Sequence, residues 1–580
     1  MRVRRIPQPR QWIPALYSLV LTLVILGPLL GPGYLLLRDA VSTPRSYLTD
    51  SALGISDAAP RAVPQDALLA VASSIVDGGI LVKAILLLSL WAAGYGAAKM
   101  VRTVLPAVGL GGQLVAITVA LWNPFVAERL LQGHWSLLTG YAALPWIVSA
   151  AVSMRRGGSA GALLVALASA GLTPTGAVLA GLLAVILAAL PGGRRRARRL
   201  LIVVAALAAV AAPWLVAAVL GGGAGSDPAG VAAFAARAEP GLGTLGSLAG
   251  LGGIWNSLAV PGSRTTLFAL ASTALLLALV AAGLRGLWRR RRNPVIAALV
   301  VIAVLAIVLP ALAATGPGLA LCRAIVAAVP GSGLGRDAQK WVALAMPGYV
   351  LAAALAADRL RARRPKSATP KSAKSSAVAL CALLILALPD LAWGVGGALR
   401  PAHYPVGWAQ VAQLAAPGDG DVAVLPAGSF RMFDGGPVVL DPAARWLQAD
   451  VLDPGALIVG GVRVAGEGSR AQSVLLSGAE PAKLAELGVR WVLVEHGTPG
   501  DLGASATTLA KLEPFYADAD LSLYRVPGSV EWAPASQAAR ATAIAAHLLW
   551  LAVLACGLGC GVVRDLAKRR SRRGLIRDEL

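Results

Sequence analysis

The chain has 580 residues, 57% of them hydrophobic and only 14% charged, with 52 Lys and Arg against 29 Asp and Glu and a net charge of +23. A soluble domain carries about a quarter charged residues, so this composition excludes a soluble globular protein and puts most of the chain in lipid. The basic excess invites nucleic acid as a partner, but its distribution along the chain excludes that as well.

Apolar stretches that can span a bilayer occur near 13–31, 78–98, 103–121, 137–153, 159–172, 177–191, 200–220, 265–284, 294–314, 342–358, 376–394 and 541–563. A span needs about 20 residues, so 159–172 and 177–191 are short. They flank Leu172 to Gly176 and read as a helix pair turning at the outer face, or as a re-entrant pair. The first stretch follows a basic start, as in a signal peptide. Pro28, Pro32 and Tyr34 stand where small residues would mark cleavage, so it reads as an uncleaved first span.

Twelve spans starting inside place every Arg and Lys cluster in the cytoplasm. These clusters hold 32 of the 52 basic residues and share that side with Asp358, Asp565, Asp578 and Glu579 only, which makes the inside +28 and the outside −5. The excess is the positive-inside signature, and nucleic acid drops out as a partner. The bias to Arg over Lys and the three Asn suggest a GC-rich bacterial genome, and hence the inner membrane.

The expected architecture is an α-helical polytopic membrane protein of about 12 spans, both termini cytoplasmic, with an extracytoplasmic α/β domain. Residues 1–394 form the transmembrane domain, with outer loops 32–77, 122–136, 221–264 and 315–341. Residues 395–540 form the outward domain, 541–563 the last span and 564–580 a basic tail. In the outward domain Trp408 to Leu414 reads as an amphipathic helix. Asp421 to Leu425, Val438 to Leu440, Ala456 to Val459, Val489 to Val494 and Leu521 to Val526 read as strands, and Ala482 to Leu487 as a helix. Lys366 to Ser376 reads as a disordered linker, and Gly221 to Gly225 as flexible loop.

Walker loops, HExxH and Cys/His zinc spacings are missing, and the four Cys show neither metal spacing nor a disulfide framework. The second outer loop, Trp122 to Trp135 followed by Tyr141 to Trp146, is the densest polar stretch. It holds Asn123, Glu128, Arg129 and His134 in a chain with three Asn and four His. Asn123 can cap a short helix begun by Pro124, which puts Glu128 and Gln132 on one face. The alternative is interfacial anchoring by Trp122, Trp135 and Trp146, with Arg129 on a lipid phosphate. Asp39, just past the first span, can act as a base on a hydroxyl; it can equally pair with Arg38 or cap a turn. Arg336 and Lys340 read as one turn apart on a helix entering the membrane from outside, placed for a lipid-linked phosphate. Ordinary headgroups or Asp337 are their alternative partners. Lys83 and Asp390 are intramembrane charges near outer ends.

On Arg38-Asp39, on Asn123 to Trp146, on Arg336-Asp337-Ala-Gln-Lys340-Trp341, and on Leu487 to Val494 with Leu523 to Val526, the chain resembles the GT-C class of polytopic glycosyltransferases and YfhO-like actinobacterial envelope proteins. The resemblance implies sugar transfer from a polyprenyl-phosphate donor to an envelope glycan or glycolipid acceptor, outside the membrane and among its lipids. It implies Asp39 as base, with Glu128 and His134 holding donor or acceptor. It assigns Arg336, Lys340 and Arg129 to the donor phosphate, and Asn123, Tyr141 and Trp135 to positioning substrate. Many members carry paired acids in the first loop and Asp39 stands alone, so a divalent cation is an open possibility rather than an implied cofactor. A lipid-linked glycan transporter and a non-catalytic assembly protein are the competing functions.

Overall fold

The computed structural model describes residues 12–56, 62–221, 228–362, 370–433, 436–452, 457–459, 462–464 and 470–577. Among them nine helices are long and apolar enough to cross a membrane: Ile13–Leu30, Gly78–Val104, Leu110–Leu131, Leu137–Arg155, Arg196–Leu220, Phe268–Trp288, Pro294–Ala313, Ala338–Leu360 and Gln537–Gly561. A tenth is broken, Ser376–Leu386 meeting Pro389–Gly397 at 79°. The helices Gly161–Ala170 and Pro174–Ala189 fall short of a span, which accounts for the difference from the twelve expected. The chain is a multi-pass membrane protein.

Burial sorts these helices into centre and rim. Leu110–Leu131 is 94% buried, and Leu137–Arg155 and Ala338–Leu360 are each 89% buried, against 28–44% for the other six, whose apolar faces are left for lipid. Small residues bring the helices together. A Cβ at Gly283 would lie 1.9 Å from the Ala352 carbonyl oxygen, and one at Gly140 would lie 2.7 Å from the Gly176 Cα. Close backbone approach of this kind replaces the hydrophobic effect as the source of helix association in lipid.

Three strands join the first inter-helix segment to the α/β region. β1 (Tyr34–Leu37) turns into β2 (Ala40–Val41), and β1 also pairs with β3 (Pro401–Ala402). The main sheet uses β4 (Asp421–Leu425), and a separate two-stranded pair is formed by β5 (Phe430–Arg431) and β6 (Val439–Leu440). Another pair is β7 (Leu457–Val459) with β8 (Val462–Val464). β9 (Val489–Glu495), β10 (Glu513–Ala517) and β11 (Leu521–Arg525) complete the main sheet, in the order β10-β11-β9-β4 with only β4 and β9 parallel. The expected helices stand at Gly407–Leu414 and Pro481–Ala485.

The α/β region is stitched to the membrane part by the turn between β1 and β2. The Arg38 amide donates to the Val438 carbonyl at 2.7 Å, and the Leu440 amide donates back to the Arg38 carbonyl at 2.8 Å. Leu36, Val41 and Val439 pack into one buried cluster beneath them. Further along the same segment, Asp50 takes the Arg540 guanidinium at 2.6 Å, and Arg445 reaches Asp66 at 3.2 Å.

One expectation is corrected. The backbone is helical from Pro370, so residues 370–376 are not a disordered linker; the rest of that expected linker, 366–369, lies outside the described residues. The expected outer loop 315–341 contains a helix, Gly316–Ala328. The glycine run expected as flexible loop lies outside the described residues beyond Gly221.

Candidate functional site

The break at Trp122-Asn123 sets up the site. Asn123 caps the helix Pro124–Leu131 as the sequence predicts, its Oδ1 accepting from the Val126 amide at 3.1 Å. Its Nδ2 donates to the Val119 and Ala120 carbonyls and to the Tyr141 hydroxyl. Tyr141 in turn donates to the Ala120 carbonyl at 2.6 Å and stacks on Phe125. This lattice satisfies the carbonyls freed at the break and fixes the direction of the short helix. Asn123, Tyr141 and Trp135 are all buried. Asn123 and Tyr141 hold the helix that carries the site.

That helix and the turn after it deliver Glu128, Arg129, Gln132 and His134 to the β1–β2 turn. Gly133 makes the approach possible. Its φ is +82°, and a Cβ there would lie 2.3 Å from both the Ala40 amide nitrogen and the Leu37 carbonyl oxygen. The Asp39 amide donates to the Gln132 carbonyl at 3.1 Å. On the side-chain level, Asp39 Oδ2 receives His134 Nε2 at 2.8 Å and Gln132 Nε2 at 3.1 Å. Asn256 Nδ2 donates to Gln132 Oε1 at 2.7 Å and so fixes its amide orientation.

The opposite ring nitrogen determines the protonation of His134. Arg129 Nη1 stands 3.0 Å from His134 Nδ1. A guanidinium only donates, so Nδ1 accepts, and the ring proton sits on Nε2 facing Asp39. Arg129 is fully buried and makes a two-pronged pair with Asp337, Nη1 to Oδ2 at 2.7 Å and Nη2 to Oδ1 at 3.0 Å. It also donates to Gln339 Oε1. Gln339 Nε2 then donates to Glu128 Oε2 at 3.0 Å, which also takes the Ile254 amide at 3.1 Å. Lys340 Nζ lies 3.6 Å from Asp337.

The electrostatics follow from these contacts. Burial pushes the Asp39 carboxyl up. The hydrogen bonds from His134 and Gln132 and the charges of His134 and Lys340 outweigh it and hold Asp39 below its ordinary value. Burial pulls His134 below its ordinary value; Asp39 opposes this, while Lys340 and Arg129 add to it. Asp337 is also held low, burial being overcome first by Arg129 and then by Lys340. The set at neutral pH is therefore an Asp39 carboxylate, a neutral His134 and a buried Arg129–Asp337 ion pair.

Exposure divides the expected site residues. The Asp39 side chain is 31% exposed, Lys340 21% and His134 17%, whereas Glu128 and Arg129 are closed to solvent. Arg129, expected on a donor phosphate, and Glu128, expected on donor or acceptor, lie buried beneath these three partly open side chains. Arg336 and Lys340 do not share a helix. Asp337 is extended (φ −75°, ψ 89°) and a 3-10 helix begins at Ala338, so Arg336 lies before it, with its guanidinium 4.3 Å over the Phe234 ring. Lys83 and Asp390 are engaged locally, Lys83 on the Gly31 carbonyl at 2.6 Å and Asp390 on the Ser263 amide and hydroxyl, each at 2.6 Å. Gln339 and Asn256 escaped sequence reasoning. The rarity of Asn was the available signal for the second; an amide within Arg336 to Trp341 was the signal for the first. Among the described residues no group of three or more His, Cys, Asp or Glu is placed to hold a metal ion.

No protein-family model matches the sequence, and comparison with the curated proteins gives no match either. Solved structures do match. The cryo-EM structure of the arabinofuranosyltransferase AftD from Mycobacteria aligns with a TM-score of 0.57 at 18% identity, over 90% of this chain and 40% of that one. A mutant of that protein aligns in two classes, with TM-scores of 0.55 and 0.52 at 18% and 16% identity. The chain thus spans about 40% of the length of the structures it matches. At this identity the likeness shows the fold, a GT-C-like membrane fold. It supports the GT-C part of the resemblance and not the YfhO-like part.

Proposed function

We propose that the chain is a membrane glycosyltransferase that moves a sugar from a polyprenyl-phosphate donor to a cell-envelope glycan or glycolipid. The observation that carries this reading is the convergence of Asp39 and His134, from two separate inter-helix segments, with Lys340, from the start of Ala338–Leu360, at one partly open point of a GT-C-like fold. In this reading Asp39 is the base. Its Oδ2 is taken by His134 and Gln132, and its Oδ1 accepts the proton of the acceptor hydroxyl. The hydroxyl oxygen bonds to the anomeric carbon as the bond to the phosphate oxygen breaks, with inversion. The leaving phosphate keeps the electron pair, and Lys340, joined by Arg336, stabilises its charge.

His134 is a positioning residue here. Its tautomer is set by Arg129, so it donates to Asp39 and does not compete for the acceptor proton. A hydrogen bond from a neutral imidazole orients the carboxylate without consuming its charge. The buried Arg129–Asp337 pair and Glu128 form the rigid floor on which the exposed trio stands. The positive-inside bias puts this site, and the α/β region 395–540 over it, on the extracytoplasmic side of the bacterial inner membrane. The AftD likeness suggests pentofuranose as the first sugar to try.

The test uses full-length protein in proteoliposomes with radiolabelled polyprenyl-phosphate sugars, arabinofuranose first, and soluble glycan acceptors. Label appearing in acceptor is the expected result. Donor that crosses the bilayer with its sugar still attached would instead make the chain a transporter.

A further inference from the structure

A cavity of about 760 Å³ opens beside the Asp39 turn. Its walls come from four places: the Arg38 turn with Leu131, the segment ending at Gly262, the stretch from Asp390 through Gly396 and Gly397 to Arg400, and Gly436 with Pro437. Arg38 immediately precedes Asp39, and Leu131 immediately precedes Gln132, which holds Asp39. The cavity thus adjoins the proposed base through Arg38 and Leu131, the chain neighbours of Asp39 and Gln132.

We infer that this cavity is the acceptor subsite and that its ligand is a neutral, hydroxyl-rich glycan segment; the inference rests on the glycosyltransferase reading. The lining decides the ligand class. Arg38 donates to the Leu131 and Leu258 carbonyls, so much of its guanidinium is turned to the protein rather than to an anion. The Asp390 carboxylate is on the wall, held by Ser263, and repels a phosphate. An acyl or prenyl chain would strip water from two guanidinium groups and a carboxylate without replacing its hydrogen bonds. A sugar hydroxyl both donates and accepts, and suits a wall on which both kinds of partner are fixed in advance.

The backbone points the same way. Five consecutive residues, Trp393 to Gly397, have φ between +51° and +84°, a left-handed turn that includes the β-branched Val395. Left-handed runs are disfavoured for L-residues and persist where the surroundings impose them. This turn presents Gly396 and Gly397 to the cavity. A Cβ at Gly397 would meet nothing within 4 Å, and one at Gly396 only Asp390 backbone and Cβ atoms beyond 3.6 Å. Bare backbone of this kind admits a chain of sugar rings at hydrogen-bonding distance.

Gly262 supplies the test. It lines the cavity, its φ lies outside the left-handed region, and a Cβ there would meet only Asp390 Oδ2, at 3.7 Å. Gly262→Trp therefore puts a bulky ring into the cavity without straining the backbone. The experiment measures binding of a soluble neutral pentose oligosaccharide, and separately of inorganic phosphate, to full-length protein in nanodiscs. Wild type is expected to bind the oligosaccharide and not phosphate. Gly262→Trp should bind at least about tenfold more weakly at an unchanged melting temperature, and Arg400→Ala, at the exposed rim, several-fold more weakly. Undiminished binding by folded Gly262→Trp overturns the proposal, as does wild-type protein that binds phosphate and not the oligosaccharide. If Gly262→Trp melts early, Arg400→Ala decides: unchanged binding there overturns the proposal. Sugar transfer by Asp39→Asn would sink the catalytic reading and leave the cavity result standing.

Discussion

At the scale of single residues, the account turns on who donates to whom around His134. Arg129 cannot accept a hydrogen bond, so the imidazole proton must face Asp39. Both Asp39 and His134 are held below their ordinary values. Ionised Asp39 is then retained as pH falls through the ordinary histidine value of about 6.5, and activity falls only at lower pH, where His134 and Asp39 protonate. A kcat/KM profile in detergent or nanodiscs should therefore show no inflection at the ordinary histidine value of about 6.5; one there would contradict the assignment. The Arg129–Asp337 pair makes a separate prediction. Removing one partner of a buried pair leaves the other uncompensated, so Arg129→Ala should cost about 3–5 kcal/mol, seen as a lowered melting temperature. The depressed Asp337 also gives the sign of the pH effect: its stabilisation is complete above the unfolded pKa and is lost as pH falls through the lower folded one.

At the scale of elements, two parts are pressed together where a side chain is missing. Gly133 lets the turn after Pro124–Leu131 touch the β1–β2 backbone, and that contact puts His134 on Asp39. Gly133→Ala must move one element off the other. Displacements of about 1 Å can cost on the order of 10²-fold in rate. The expected result is a kcat reduced by about that factor at unchanged helix content by circular dichroism. Much of this element-level arrangement was legible in the sequence. Asn123 as a cap and Pro124 as a helix start rest on local spacing, whereas a common site for Asp39 and the second loop's polar cluster was only what the family resemblance implied. The sealing of Glu128, Arg129, Asn123, Tyr141 and Trp135 was not legible. Burial depends on which neighbours arrive from 337–339 and 251–256, and a helix face carries no mark of that. The strands β1 to β3 were missed for a related reason: they are two to four residues long and exist only by pairing across the chain.

At the scale of the whole molecule, hydropathy and the Arg clusters carried the architecture, because lipid imposes the same length and charge rules on every span. The twelve apolar stretches all became helical; length separated nine full spans from two short helices, and a 79° bend set apart a broken one. Sidedness rests on the charge asymmetry alone and is checked directly. In a cysteine-free background, Asp419→Cys should react with an impermeant thiol reagent added to intact cells, and Arg291→Cys only after permeabilisation. The reverse pattern would turn the molecule over and place the site in the cytoplasm.

The central claim is that the Asp39 carboxylate activates the acceptor. Its most direct test is the single-turnover rate of sugar transfer by wild type and by Asp39→Asn, each shown to be folded by its melting temperature. Asparagine keeps the size and the contacts with Gln132 but cannot take a proton, so the rate should fall by about 10²–10⁴-fold with donor binding unchanged. A wild-type rate in Asp39→Asn would contradict the account.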